Sequence, residues 1–308
     1  MKFQYDAATG LAFLVSELSG VEQKMYEKKY KNITYNSLIP ISTEGGEFIT
    51  AMTYYFMDGR AVAKFVGTKS LNVPISEIGT VKITVPVELA ATGYEYSDEE
   101  LGQAMLVGRS LTADKANVAR RACEEHLQEV GMTGDADHGL PGFINNTNVT
   151  AATVAAGAGG FTPWNTKTPN EIIFDVNDFM GDIFVDTLQV ERPGRLLLPT
   201  GQWNYIAGTP RSDQSDTTIL AWLVANSPYL SSTDDVIPTP ELAGAGAGGA
   251  DRMMAYDYDI DKVVMHIPKP LIFTEPQRKG RGYEVPGTYK TGGVEFRYPG
   301  SARYADGI

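Results

Sequence analysis

Three clusters in this chain have residue types and spacings that could do chemistry. Asp135, Asp137 and His138, in GDADHG, put two carboxylates and an imidazole within four positions, donor types that suit a divalent metal. The other histidines, His126 and His266, are tied to this spot by no spacing, and a turn after a helix accounts for the segment equally well. Asp257, Asp259 and Asp261 alternate like the opening ligands of a calcium loop. The sixth position is Lys262 where glycine makes the bend, and the twelfth is Pro268 where a bidentate glutamate is needed. Laid on a strand, the three acids share one face and form a solvated acidic edge. Gly244, Gly246 and Gly249 match a dinucleotide fingerprint in spacing alone. Pro238 and Pro240 stand where a strand should precede them, and a strand follows where a helix belongs. A mobile loop is the better reading.

The single Cys123 falls on the apolar stripe of a helix, where a packed, inert thiol is expected. The phosphate-loop, zinc-protease, nucleophile-elbow and Ser-x-x-Lys patterns do not occur. The expectation is therefore no catalytic residue, no metal and no cofactor.

The elements that would position such groups carry the stronger signals. Leu11, Leu14, Val15 and Leu18 line one face of a short helix, an arm segment too short to be stable alone. Lys24, Lys28, Lys29 and Lys31 follow it. From Phe48 to Val66, FITAMTYYFM and RAVAKFV flank Asp58-Gly59, which reads as a two-residue hairpin. About ten residues per arm at ~3.3 Å each reach on the order of 30 Å. Both faces are apolar, with Phe48, Met52, Tyr54 and Phe56 on one and Ile49, Ala51, Tyr55 and Met57 on the other. A two-stranded ribbon is marginal in water and needs cover. That cover is either its own domain or a partner.

Val81–Val87 reads as a separate strand. Ser97 to Glu100 is a capping box opening a helical pattern with Leu101, Ala104, Met105 and Val107. A helix continues to Val130 with Ala119, Ala122, Cys123, Leu127 and Val130 along one stripe, and Gly131 as its stop. Arg120–Glu124 and Arg121–Glu125 are i,i+4 pairs on its outer face. If joined, the two segments make a rod on the order of 45 Å long. Residues 148–160 turn small and flexible, a domain boundary. Beyond it, 170–190 and 217–225 read as helices, RLLLP as a strand, and RMMAYDYDIDKVVMHIP as one long strand.

Composition leaves structural and enzymatic roles open. The 308 residues carry 38 acidic and 26 basic side chains, net −12, a poor balance for gripping nucleic acid. A wall that repels DNA is nonetheless consistent with a DNA container. Apolar runs such as Leu11 to Val15 are too short to cross a bilayer, no signal-peptide pattern is present, and one cysteine excludes an internal disulfide.

The order of parts resembles the major capsid proteins of tailed phages, the Hong Kong 97-like fold. The resemblance rests on VEQKMYEKKY and LIPIS in the arm, FMDGRAVAKF in the hairpin and YEYSDEELGQAMLVGRSLTADKANVARRA along the helix. GLPGFINN after it and VPGTYKTGGVEFRYPGSARYADGI at the end complete it. It implies an α+β chain with an N-terminal arm (1–44), an extended E-loop hairpin (45–80), a peripheral domain with a long spine helix (81–148 and 262–308), and an axial domain (149–261). It further implies hexamers and pentamers of this chain, with scaffold, portal and decoration proteins and unspecific contact with packaged DNA. The place is the virion, after assembly in the host cytoplasm, with no membrane.

Candidate subunit-interface residues are Leu11, Leu14, Val15, Leu18, Phe48, Met52, Tyr54, Tyr55, Phe56, Arg60, Lys64 and Phe65. Some relatives cross-link an E-loop lysine to an asparagine. Lys64 and Lys69 are near the hairpin, but no partner asparagine or catalytic acid can be matched. An encapsulin-type nanocompartment enclosing cargo enzyme is the alternative, and a soluble α+β enzyme the third reading.

Overall fold

The computed structural model describes residues 30–65, 75–107, 111–212 and 214–308. Residues 33–308 form one compact unit, and of the other, 1–32, only Tyr30–Asn32 are described. The expected arm helix (Leu11, Leu14, Val15, Leu18) and Lys69 lie outside the described residues.

Strands β1 (Ala51–Arg60) and β2 (Glu77–Pro86) pair antiparallel over their full length. This corrects the hairpin expected at Asp58-Gly59. Strand β1 runs straight through both residues, with Asp58 opposite Gly79 and Gly59 opposite Ile78. Neither has the positive φ that a tight two-residue turn demands. Residues 61–65 are not in a strand, so RAVAKFV is not the return arm. That arm is the Val81–Val87 segment, and the ribbon runs to Pro86, past the expected end at residue 80.

Strand β3 (Glu88–Ser97) leads into α1 (Asp98–Val107) through the expected capping box. The Ser97 N–H donates to Glu100 Oε2 and the Glu100 N–H to Ser97 Oγ, each at 3.1 Å. Helix α2 (Leu111–Thr133) is ~35 Å long and packs on β3. Ala119, Cys123, Leu127 and Val130 are buried along its stripe, whereas Ala122 faces solvent. Arg121 pairs with Glu125 at 2.8 Å. The Arg120–Glu124 pair does not form, because Arg120 lies over Phe273 and Glu124 accepts from the Tyr35 hydroxyl at 2.7 Å.

The helix does not stop at Gly131, which sits inside it under Met265 and Tyr35. It stops at Gly134, whose φ of +76° is the left-handed turn that favours glycine. A Cβ at Gly134 would stand 2.4 Å from the Leu140 carbonyl oxygen. Gly134→Ala should therefore cost more than ~1 kcal/mol, the ordinary left-handed penalty, because a backbone clash adds to it. A urea midpoint within error of the parent would refute this.

The remaining elements are β4 (Thr150–Thr153), α3 (Pro169–Asp186), β5 (Arg195–Leu198), α4 (Thr200–Gly208), α5 (Ile219–Asn226), β6 (Val236–Pro238) and β7 (Arg252–Tyr256). They are followed by β8 (Val263–His266), β9 (Lys269–Phe273), β10 (Gln277–Lys279), β11 (Gly282–Thr291), β12 (Val294–Phe296) and β13 (Ala302–Asp306). Strand β11 is flanked by β3 on one edge and by β9 and β10 on the other. A five-stranded sheet runs β4-β13-β7-β5-β6. Two sequence expectations fail in it. The flexible stretch after Asn148 holds β4, parallel to β13, and the long strand from Arg252 breaks at Asp257–Lys262 into β7 and β8. Residues 302–306, grouped above with the peripheral segment, belong to this sheet.

The central strands of the five-stranded sheet are buried on both faces, which divides the interior into two cores. Met254, Tyr256, Leu197 and Tyr304 face a core shared with Cys123 and Leu127 of α2. Their neighbours Met253, Ala255, Leu196 and Ala305 face a second, closed by Ile172, Val176 and Met180 of α3 with Leu220 and Leu223 of α5. Alternation along one strand thus serves two hydrophobic layers.

Candidate assembly interface

The ribbon sorts its residues by face because directly paired side chains share one side. Met52, Tyr54 and Phe56 lie opposite Val85, Ile83 and Val81. At the root this face is seated on the body. Val85 is buried, Lys290 Nζ donates to the Ile49 carbonyl at 2.8 Å, and the Val87 N–H to that of Thr50 at 3.0 Å. Arg297 stacks over the Tyr54 ring, and Phe56 meets Tyr298 edge-on at 5.9 Å. Burial and the neighbouring Glu295 carboxylate push the Tyr54 hydroxyl up to about 12, so it is a neutral donor at physiological pH. Glu295 itself accepts from buried His266, Nε2 to Oε2 at 2.9 Å.

Away from the root the cover ends. Exposure along the return strand climbs on this face from 8% at Val85 through 36% at Ile83 to 56% at Val81, and reaches 73% at Ile78 on the opposite one. On the other face a Thr53–Thr84 hydroxyl contact of 3.1 Å is followed by exposed Tyr55 and Met57. Phe48 and Phe65 are wholly in solvent, and Arg60 and Lys64 are exposed with no ion pair among the described residues. The structure thus brings Met52, Tyr54 and Phe56 together at the seat and leaves Phe48, Tyr55, Arg60, Lys64 and Phe65 without cover among the described residues. Sequence reasoning missed Ile78, Val81 and Ile83 as members of the ribbon. The alternation in VKITVPV was the signal for Val81 and Ile83.

The clusters that invited chemistry are engaged otherwise. Asp135 and His138 form an exposed pair at 2.7 Å. Their hydrogen bond lowers the carboxyl and raises the imidazole from their ordinary values. Among the described residues no group of three or more His, Cys, Asp or Glu is placed to hold a metal. The acidic edge of Asp257, Asp259 and Asp261 is instead a turn, with Lys262 Nζ 2.5 Å from Asp257. The glycine segment is not a free loop. Its Gly244 and Ala247 N–H groups donate to the Asp251 and Asp306 carboxylates, acceptors that would repel a phosphate.

A shallow cleft of about 380 Å³ lies between Glu95, Glu100, Lys115, Lys279 and Tyr283. Ion pairing lowers Glu100 and raises Lys279, which holds both groups charged. Acid–base work at neutral pH needs the opposite displacement. No helix of the described residues is long and apolar enough to cross a membrane.

The family model described as "Major capsid protein" matches residues 61–308. No curated protein matches the sequence. Among solved structures, the capsid of Myoviridae phage XM1 is 19% identical with a TM-score of 0.79, covering 95% of this chain and 98% of that one. A chain from Mycobacterium phage Bobi is 12% identical with a TM-score of 0.63, covering 97% and 98%. A virus-like particle from Pyrococcus furiosus is 10% identical with a TM-score of 0.51, covering 88% and 91%. At these identities the likeness is one of fold.

Proposed function

The chain belongs to the major capsid protein family, and from that premise we propose that it is the shell subunit of a tailed phage's icosahedral head, enclosing double-stranded DNA. The observation that supports this best is the ribbon. It is a long, largely apolar pair of strands whose distal half has no cover among the described residues. Sheltering it on other copies is the economical solution, since an isolated two-stranded ribbon is marginal in water.

On this reading copies meet in hexamers and pentamers, with each ribbon on a neighbour. Scaffold, portal and decoration proteins are further partners. Residues 45–86 serve as the E-loop, the β3–α2 and β9–β11 region as the peripheral domain, and the α3–α5 layer as the axial one. The net charge of −12 suits a wall along which DNA slides. No residue is assigned a catalytic role. A nanocompartment is disfavoured by the family match.

Electron microscopy of the purified protein, expressed with and without candidate scaffold, tests the proposal. Closed shells of uniform size are expected. A discrete small species under all conditions, at concentrations where the chain is folded, would refute it.

A further inference from the structure

Where α3 ends, three aliphatic side chains stand in water: Val185, Leu188 and Val190 are 68%, 87% and 76% exposed. The backbone that displays them is strained. Leu188 at φ +53° and Gln189 at φ +69° are consecutive non-glycine residues in the left-handed region, which costs side-chain-bearing residues conformational energy. Hydrogen bonds hold them there. The Leu188 N–H donates to the Val185 carbonyl at 3.0 Å, the Gln189 N–H to that of Phe184 at 2.7 Å and the Val190 N–H to that of Thr187 at 3.1 Å. Glycine at 188 would relieve strain and remove an exposed leucine.

A second loop is fastened beside this knob. Lys262 Nζ bridges Glu191 and Asp257 at 2.5 Å each, clamping the turn after β7 to the segment after α3. The turn adds half-exposed Tyr258 and Ile260 to the apolar surface. It also carries Asp259 and Asp261, neither paired with a cation among the described residues.

The distal ribbon is the complement. Phe65, Ile75 and Val62 are apolar and exposed, and Arg60 and Lys64 bring positive charge. Within one chain the turn lies at the ribbon's root, because the Arg297 N–H donates to the Lys262 carbonyl and Tyr298 meets Phe56. The distal residues, up to ~30 Å of chain beyond Phe56, are in solvent and not on that turn.

We propose that the distal ribbon of one copy docks on the surface formed by Leu188, Val190, Tyr258 and Ile260 of a neighbouring copy, with Arg60 and Lys64 facing Asp259 and Asp261. The proposal rests on the shell reading above. The contact is head-to-tail, distal ribbon on root, a heterologous geometry that forms rings where the rotation closes. Opposite charge steers the encounter, and the apolar knob supplies the buried contact.

Charge reversal on the full chain tests it. The pair Arg60→Glu with Lys64→Glu, or the pair Asp259→Lys with Asp261→Lys, should each lower the assembled fraction about tenfold or more. All four together should restore it. Leu188→Gly should leave the subunit's melting temperature equal or higher while weakening assembly, a split that a purely structural leucine would not produce. Normal assembly of both reversed pairs, or failure of the fourfold variant with its circular dichroism intact, would overturn the docking site. If the turn variants assemble normally while Phe65→Asp blocks shells, the ribbon docks elsewhere and the shell reading stands. Absence of shells from the unmutated chain would instead remove the reading beneath both.

Discussion

Tyr55→Asp should leave the subunit folded and stop shell formation. Tyr55 is 67% exposed and lies directly opposite Lys82 across the ribbon. An aspartate there faces a lysine and keeps its water, so the subunit's own stability should move by no more than about 0.5 kcal/mol. On the proposed shell reading the same position is desolvated against a neighbour, where replacing an aromatic anchor by a charge costs about 2 kcal/mol or more per contact. That is a loss of roughly thirtyfold per contact, repeated around every ring. Sedimentation and electron microscopy should find folded, unassembled protein. Loss of the circular dichroism signal would place Tyr55 in the subunit's own core, and intact shells would place it outside any contact. Phe56→Asp is the less clean variant, because Phe56 also packs on Tyr298 of its own chain.

Arg252→Ala should have the largest effect on the subunit itself, on the order of 3–5 kcal/mol. Arg252 makes a forked pair with Asp306 at 2.6 and 2.9 Å, donates to the Ile144 carbonyl at 2.8 Å and stacks over Tyr304. It thereby ties β7, the last strand and the segment after α2 into one knot. Truncation strands the Asp306 carboxylate, buried and holding only the Ala247 N–H. Replacing both partners, Arg252→Met with Asp306→Leu, should cost less than the single change, since no buried charge is left. A urea midpoint for Arg252→Ala close to the parent's would show that water reaches the site.

The same knot sets an acid limit. Burial alone would raise the Asp306 carboxyl, but the Arg252 hydrogen bond, the Ala247 N–H and the Arg252 charge hold it below its ordinary 3.8. A depressed folded-state value adds stability above the ordinary one. That stability is lost as pH falls through the lower value. Melting temperature should therefore fall below about pH 4, less steeply in the double variant.

The elements legible from sequence were those whose evidence is local. Ser97 and Glu100, three residues apart, announce the start of α1, and Thr218 caps the helix that holds Trp222. The Asp-Gly pair misled because a turn dipeptide is only permissive. Ten cross-strand pairs ending at Arg60–Glu77 outweigh it. Gly131 misled in the same way, since a glycine inside a helix under Met265 looks in sequence like a glycine after one. Strand β4, four residues of threonine and alanine, has no signal of its own and exists through pairing with Arg303–Asp306, some 150 positions away.

What the sequence determined by itself was the stock of parts: capped helices, apolar strand segments and an apolar stretch too long to leave in water. These depend on neighbours within a turn or two, whose interactions form whatever the rest of the chain does. Only the tertiary structure decided which strand answers β1, where the strand from Arg252 breaks, which face of the ribbon is seated, and that Leu188 and Ile260 stand in solvent. Those outcomes rest on contacts between residues distant in the chain, where each pairing must repay the entropy of closing a long loop and competes with every alternative partner.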